Sequence, residues 1–293
     1  QESEGGISYR RPDFLTPGQN LLLEAKLDAD QPPAYERNAA SVSAGVEYQF
    51  TPRLSATGGI LVEQSEVNSA ADPDGTRTFS LIGIPLGLRY DASNNLLDPT
   101  RGHRTVLSLT PWVGVGGDGV EMLVTRLIES FYVPLTIDGD HVWATRISIG
   151  SVVGPDRIDI PADKRMYAGG GGSLRGYQYQ MAGPLVDVPC PPDSDCDPDK
   201  AHFRPLGGRS LLQIGTELRW KITETIGLVP FVEGASVSDA SFPDFQEEFL
   251  VGAGIGVRYF TIAGPLRLDI AFPVTPRQPD GMFEIYISLG QAF

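Results

Sequence analysis

Residues 249–273 read FLVGAGIGVRYFTIAGPLRLDIAFP, and this stretch decides the fold class. Two segments, 249–260 and 264–273, are joined through the short turn TIAGP. In the second segment apolar and polar residues alternate, so that Arg267 and Asp269 fall on one side. A period of two residues is the pattern of a β-strand whose two faces meet different environments. The stretch therefore predicts an antiparallel hairpin.

The same alternation recurs along the chain, whereas helical periodicity never persists for three turns. Thirteen segments carry it: 6–14, 20–29, 38–50, 53–66, 77–91, 103–114, 120–135, 141–153, 210–222, 225–238, 247–260, 264–273 and 282–293. The connections between them are alternately short and long, except that 92–102 is long on the short side and 114–119 is brief on the long side. The short ones include 50–53, 136–140, 221–225 and 261–265, and the long ones include 28–37, 66–78, 154–209, 238–248 and 273–281. Outer-membrane β-barrels show this asymmetry, because their periplasmic turns are short and their extracellular loops are long.

The charged side chains of several segments fall on one row, opposite an apolar row. In 210–222 the charged row contains Glu217 and Arg219, and in 247–260 it contains Arg258 among glycines. A basic side chain that faces lipid at the bilayer midplane costs about 2–4 kcal/mol. We therefore expect the charged row to face a polar lumen and the apolar row to face lipid.

Segment 120–135 does not sort in this way, because Arg126 and Glu129 fall on opposite faces. A β-bulge in the segment would explain this difference. A soluble antiparallel sandwich with one wet face is the alternative to a barrel. Mixed-sign charges set among glycines, and an aromatic residue at the end of the last segment, favour the barrel.

The composition excludes several classes of protein. The chain of 293 residues has a formal net charge of -14, whereas nucleic-acid-binding domains carry a basic patch. No run approaches 18 consecutive apolar residues, so no transmembrane helix is predicted. The three histidines are dispersed, and the zinc motif HExxH, the GxSxG elbow and a complete phosphate loop are missing from the sequence. We expect no catalytic residue, no cofactor and no metal ion.

The longest connection, 154–209, contains the segment GGGGSLRGYQYQ at 169–180. Loops of this length inside a strand-rich domain are uncommon, and they tend to be functional or disordered. Cys190 and Cys196 flank PPDSD in this loop, and neither has a His or a further Cys at metal-ligand spacing. We expect the two cysteines to form a disulfide in an oxidising compartment, and two free surface thiols are the alternative.

Four segments resemble motifs of the outer-membrane assembly superfamily that includes BamA, TamA and the two-partner secretion transporters. LRGY (174–177) resembles the V-R-G-F/Y motif of its sixth extracellular loop, and LDPTRG (97–102) resembles its periplasmic D-P-T-R-G turn. FVEG (231–234) resembles a strand motif with an inward acid, although Glu233 stands where the family has Asp. GPLRLD (264–269) resembles the strand before the last one. The order and spacing of all four segments fit the family.

The resemblance implies an all-β fold, an antiparallel transmembrane β-barrel of sixteen strands with a long extracellular loop folded into its lumen. The thirteen segments found here are an odd number, which would put residue 1 and Phe293 on opposite sides of the membrane. We therefore expect residues 1–293 to be the barrel domain of a longer protein. Three strands and the periplasmic POTRA domains are expected to precede residue 1, and residues 154–209 are expected to form the long loop.

The resemblance also implies a site in the lumen, where the motif residues Leu174, Arg175, Gly176 and Tyr177 rest on the inner wall. Glu217 and Glu233 lie on inward rows of consecutive strands, and the planar fork of Arg175 suits a carboxylate partner. The remaining lumen charges are expected to be Arg219, Arg258, Arg267 and Asp269.

The final segment is expected to form one half of a weak seam between the first and last strands. The residues expected on this seam strand are Phe283, Ile285, Ile287, Gly290 and Phe293. In the family a client strand can pair at the seam, because an unpaired edge is a template for strand addition.

The resemblance thus implies a protein of the bacterial outer membrane that helps to insert or translocate other β-barrel proteins. The ending YISLGQAF (286–293) resembles TamA more than BamA. A TamA-like role implies autotransporter clients, contact with outer-membrane lipid and an inner-membrane-anchored TamB-like partner. A general BamA-type assembly barrel, a two-partner secretion pore and a passive porin are the alternatives, and neither an enzyme nor a nucleic-acid-binding protein is expected.

Overall fold

The computed structural model describes residues 2–69, 72, 75–116, 119–189, 201–244, 246–262 and 264–293. These residues form β-strands and two short 3-10 turns, Arg157–Asp159 and Ala162–Lys164. No helix in this part of the chain is long and apolar enough to cross a membrane. The strands are β1 (Glu2–Arg11), β2 (Gln19–Asp30), β3 (Glu36–Thr51), β4 (Leu54–Asn68), β5 (Thr76–Gly83), β6 (Leu86–Asp91), β7 (Gly102–Gly114), β8 (Glu121–Pro134), β9 (His141–Val153), β10 (Leu185–Asp187), β11 (Phe203–Pro205), β12 (Ser210–Lys221), β13 (Ile226–Ser238), β14 (Leu250–Thr261), β15 (Gly264–Pro273) and β16 (Glu284–Leu289).

Fourteen of these strands form one antiparallel sheet in which neighbours along the chain are neighbours in space, and β9 pairs with β12 across the long loop. All thirteen alternating segments of the sequence appear as strands of this sheet. One segment, 77–91, is divided into β5 and β6, which both pair with β4. Pro85 lies at the division, and its missing N–H interrupts the hydrogen-bond ladder there.

The sheet curves so that distant strands meet on its concave side. β1 pairs only with β2, and β16 only with β15, within the described ranges. The turn between β6 and β7 nevertheless contacts the residues that follow β16. The backbone N–H of Gln291 donates to the carbonyl of Leu97 at 3.4 Å, and its side chain donates to Asp98 Oδ1 at 2.8 Å. We call the space enclosed by the concave face the lumen.

The two faces of the sheet differ in polarity. In β15 the charged side chains of Arg267 and Asp269 are buried on the lumenal face, whereas Leu268 and Ile270 are exposed on the convex face. Five large aromatic residues on the convex face lie within three residues of the short-turn end of their strands: Phe50, Phe131, Trp143, Trp220 and Tyr259. Phe249 and Phe272 are exposed near the opposite end. An apolar band bordered by an aromatic girdle is the surface of a barrel that lies in lipid.

Strand β8 pairs with β7 and β9 without a register shift, so the expected bulge is not present in it. Arg126 has the same parity as the buried Tyr132 and therefore lies on the lumenal face. Glu129 lies on the convex face, where the hydroxyl of Thr105 donates to its Oε2 at 2.5 Å. The irregular charge pattern of this segment thus reflects a polar pair on the outer face.

Residues 154–209 are here called the lumen loop, and its described parts, 154–189 and 201–209, lie in the lumen and provide much of its core. The side chains of Met166, Leu174 and Tyr177 are almost fully buried in a cluster with Trp112 and Leu211 of the wall. The lumen loop also contains a hairpin of β10 and β11, which the sequence did not reveal because three-residue strands are too short to show alternation. The expected disulfide between Cys190 and Cys196 lies outside the described residues.

Candidate lumen-loop site

Residues 171–176 of the lumen loop contact the wall closely at glycines. Gly176 has a φ of +98°, a backbone conformation that side-chain-bearing residues rarely adopt. A Cβ at Gly176 would lie 2.8 Å from the carbonyl group of Phe272 in β15. A Cβ at Gly171 would lie 2.8 Å from the ring of Tyr286 in β16. Glycine at these positions therefore allows the backbone around Arg175 to contact β15 and β16.

The guanidinium of Arg175 is fully buried and contacts three carboxylates. Its Nε and Nη2 donate to Glu233 Oε1 at 2.9 and 2.6 Å, and its backbone N–H donates to Glu233 Oε2 at 2.8 Å. Its Nη1 donates to Asp269 Oδ2 at 2.6 Å, and Nη2 lies 3.4 Å from Glu217 Oε2. The guanidinium carbon lies 3.4 Å from the ring centroid of Phe231. One side chain thus joins β12, β13 and β15.

The charge of Arg175 is stabilised by these carboxylates. Burial alone would lower its pKa, but Glu233, Glu217 and Asp269 raise the pKa above its ordinary value. Removing one partner of such a buried pair costs about 3–5 kcal/mol, because the other partner is left uncompensated. The loop and the wall are therefore strongly coupled at this position.

The same carboxylates are also paired with arginines of the wall. Arg219 Nε lies 2.7 Å from Glu217 Oε1. Arg258 Nη1 lies 2.5 Å from Asp269 Oδ1, and Arg267 Nε lies 3.1 Å from Asp269 Oδ2. The four predicted lumen charges Arg219, Arg258, Arg267 and Asp269 are therefore all buried around the Arg175 guanidinium.

Two glycines of β14 form the floor of the site. A Cβ at Gly252 would collide with the backbone carbonyl oxygen of Arg175. A Cβ at Gly256 would collide with the carboxylate of Asp269 and the guanidinium of Arg258. The glycine row that the sequence showed in this strand therefore makes room for the loop and for the charged groups beneath it.

Leu174 and Tyr177 hold the loop on either side of this clamp. Leu174 is fully buried, and the Tyr177 hydroxyl lies 3.0 Å from the carbonyl oxygens of Val251 and Thr275. The hydroxyl of Tyr286, in β16, accepts a hydrogen bond from the N–H of Gly176 and donates one to the carbonyl of Tyr177, both at 3.0 Å. The motif is thus bound directly to the last strand.

The last strand is shorter than the sequence predicted. β16 spans Glu284–Leu289, and Ile285 and Ile287 are exposed on its convex face. Phe283 precedes the strand and is exposed as well. Gly290 has a φ of +89°, which turns the chain out of the ladder. Gly290 still donates its N–H to the carbonyl of Pro265 at 2.7 Å and closes the strand, whereas Phe293 lies beyond it.

Phe293 lies against the wall of the lumen. Its ring is 5.2 Å from the Arg146 guanidinium and 5.7 Å from that of Arg219, and its carbonyl accepts a hydrogen bond from Arg219 at 2.6 Å. Arg219 also donates to the carbonyl of Pro99 at 3.0 Å. The turn that resembles D-P-T-R-G and the residues after β16 thus meet beneath the Arg175 clamp.

Sequence reasoning missed several groups of the site. Asp269 was placed in the lumen but not against Arg175, and Phe231, Tyr286 and Arg146 were not singled out. The alternating pattern assigns Arg146 and Asp269 to the inward row, and that parity was the available signal. Their distances to the loop depend on strand register, which the sequence pattern leaves open.

The chain matches the Omp85 superfamily domain over residues 1–293. It is 25% identical over 210 residues to the outer membrane protein assembly factor BamA of Nitratidesulfovibrio vulgaris, which covers 69% of the chain and 24% of that protein. It is 22% identical over 342 residues to BamA of Neisseria meningitidis, which covers 99% of the chain and 41% of that protein. The chain therefore spans less than half of the length of these relatives.

The fold is similar to the crystal structure of BamA from Haemophilus ducreyi lacking POTRA domains 1-3. The TM-score is 0.78 at 18% identity, over 97% of this chain and 61% of that chain. At this level of identity the similarity concerns the fold of the barrel.

Proposed function

The chain belongs to the Omp85 superfamily and is a β-barrel of the bacterial outer membrane, and from this premise we propose that it helps other β-barrel proteins to enter that membrane. The clients would pair with the edge of β16. A strand edge with free N–H and C=O groups is a template for an added strand. No covalent bond changes in such a process, so binding and strand exchange account for the activity.

The observation that carries this proposal is the link between the Arg175 clamp and β16. β16 has six residues and pairs with β15 alone among the described strands. Its inward Tyr286 is hydrogen-bonded to the backbone on both sides of the Gly176–Tyr177 peptide. When the lumen loop keeps these hydrogen bonds, the short edge strand stays in place. When it breaks them, β16 can separate while the other strands of the wall stay paired.

We further propose a TamA-like role, in which the clients are autotransporters and a TamB-like protein anchored in the inner membrane is the partner. The ending YISLGQAF is the sequence feature that supports this narrower assignment. A BamA-type role differs from it in the range of clients, because a general factor serves all outer-membrane barrels.

Depletion of the full-length protein, followed by quantitative proteomics of the outer membrane, tests both levels of the proposal. Selective loss of autotransporter-like barrels is expected for the TamA-like role. Loss of all barrels would replace it with the BamA-like role. Unchanged barrel levels, with loss of a single secreted protein or of solute flux alone, would contradict assembly and indicate a secretion pore or a porin.

Complementation of the depleted strain connects the function to the site. Arg175→Ala is expected to insert into the membrane but not to restore client levels, because the buried carboxylates lose their shared partner. Arg204→Ala is the matched control, since Arg204 is an exposed arginine of the same loop. Full complementation by Arg175→Ala would show that the clamp has no part in assembly.

A further inference from the structure

The lumen loop also contacts the wall on the side opposite the Arg175 clamp. Its 3-10 turn Ala162–Lys164 lies against β3 and β4. The ammonium of Lys164 lies 2.8 Å from Glu63 Oε1 in β4 and 3.0 Å from Asp163 Oδ2. Arg37, in β3, lies 3.1 Å from Glu63 Oε2 through Nη2 and 3.0 Å from Asp163 Oδ2 through Nε. Two charged residues of the wall, Arg37 and Glu63, thus contact two charged residues of the loop, Asp163 and Lys164, in one cluster.

The cluster is buried, and its carboxylates outnumber its basic groups, because Arg37 Nη1 also pairs with Asp28 and lies 3.4 Å from Asp30 Oδ2 in β2. The side chains of Asp163 and Glu63 are 4% and 5% exposed, and those of Arg37 and Lys164 are 11% and 14% exposed. Burial alone would lower the pKa of Lys164, but the carboxylates of Asp163 and Glu63 raise it, so the ammonium remains charged. Lys164 Nζ also lies 4.7 Å from the ring centroid of Trp112, which covers it from the wall.

Two neighbouring contacts hold the same part of the loop. Arg165 is fully buried and forms a bidentate pair with Asp72, with distances of 3.0 Å to Oδ1 and 2.7 Å to Oδ2. Arg77, in β5, donates to the carbonyl of Ile158 at 2.7 Å. Contacts from 158 to 165 thus all reach the wall near β3, β4 and β5.

We propose that Arg37 and Glu63 form a second docking site on the barrel wall, which binds the Asp163-Lys164 dipeptide of the lumen loop independently of the Arg175 clamp. The clamp holds residues 171–177 on β12 to β16, and the second site holds residues 158–165 on β3 to β5. The lumen loop is then fixed to two separate parts of the wall. Either segment, 158–165 or 171–177, can be released while the other stays bound. This inference concerns the loop itself and does not depend on client assembly.

Thiol labelling near the two bound segments of the loop tests the inference in a background with Cys190→Ser and Cys196→Ser. Ala162 lies in the segment held at the second site, and Ala182 follows the clamped segment 171–177. Both are small and buried, so Ala162→Cys and Ala182→Cys are the reporters. Glu63→Gln is expected to raise the rate of maleimide labelling at the Ala162→Cys reporter by roughly tenfold to a hundredfold, because Lys164 then loses its ion pair with the wall and keeps only the neighbouring Asp163. Labelling at the Ala182→Cys reporter is expected to change less than twofold. Arg175→Ala is expected to give the reverse result.

Two further variants keep the test decisive. Lys164→Met removes the charge from the loop side, keeps the contact with Trp112 and gives the same comparison if Glu63→Gln does not fold. The double variant is expected to label no faster than the faster single variant, because neither charge is then left unpaired. Lys26→Met, which removes a half-exposed lysine of β2 bonded to Glu4 and Glu24, is the matched control. Unchanged labelling at Ala162→Cys, or an equal increase at both reporters, would overturn the second docking site.

Discussion

At the scale of single residues, the site depends on one planar donor group and on the absence of side chains around it. Arg175 distributes its donors over Glu233, Asp269 and Glu217, and lysine offers no fork of this shape. The carbonyl oxygen of the same residue lies directly above Gly252, where no Cβ fits. The position of the guanidinium is therefore fixed from both sides, by hydrogen bonds and by packing.

Gly252→Ala tests the packing side of this interpretation. The added methyl group would collide with the Arg175 backbone, so we expect a loss of about 1–3 kcal/mol of stability and faster proteolysis of the lumen loop. Gly5→Ala is the control, because a Cβ at Gly5 meets nothing within 4 Å. Equal protease resistance of the two variants in a time course would show that the loop does not require the glycine floor.

At the scale of elements, β16 differs from β14 and β15 in its shorter length and in its dependence on the loop. Its ladder to β15 covers six residue pairs, whereas β14 and β15 share ten. Tyr286 adds two hydrogen bonds from outside the sheet, and Gly290 ends the strand. The lumen loop therefore supplies part of the stability that a second strand neighbour would otherwise give.

Tyr286→Phe removes these hydrogen bonds and keeps the ring. The two bonds contribute about 0.5–1.5 kcal/mol each, so we expect amide hydrogen exchange in β16 to accelerate by about fivefold to a hundredfold while β14 keeps its protection. Tyr259→Phe, on the convex face of β14, is the matched control. If β16 exchanges at the same rate in both variants, the loop does not hold the edge strand through this side chain.

At the scale of the whole molecule, the wall separates two solvents. Its convex face is apolar and carries aromatic residues near the short turns, and its concave face carries buried ion pairs around the lumen loop. This is the reverse of a soluble domain, in which charges face outward. Strand alternation alone produces it, because each strand contributes every second residue to each face.

Ile255→Arg tests which face meets lipid. Ile255 lies on the convex face in the middle of β14, and a basic residue near the midplane of a membrane barrel costs about 2–4 kcal/mol. Tyr259→Arg, close to the short-turn end, is expected to cost about 0–1 kcal/mol by the same depth dependence. Urea titration of folding into liposomes measures both losses, and equal losses would contradict the membrane placement.

The sequence by itself determined the strands, their faces and the inward position of the charged residues. These features are local, because a two-residue period assigns each side chain to a face whatever the strand pairs with. The division of segment 77–91 at Pro85 was not predicted, although proline has no N–H to donate and was the available signal. The inward position of Glu217 and Glu233 came from the same alternation, whereas the lumenal position of the Arg175 motif was implied by the family resemblance.

Only the tertiary structure decided which inward residues meet. Asp269 reaches Arg175 across 94 positions of the chain, and Lys164 reaches Glu63 across 101. Such contacts depend on the register of many strands and on the path of the lumen loop, and alternation constrains neither. The end of β16 at Leu289, the inward turn at Gly290 and the hairpin inside the loop were decided in the same way, because local pattern carries no information about what lies opposite a strand.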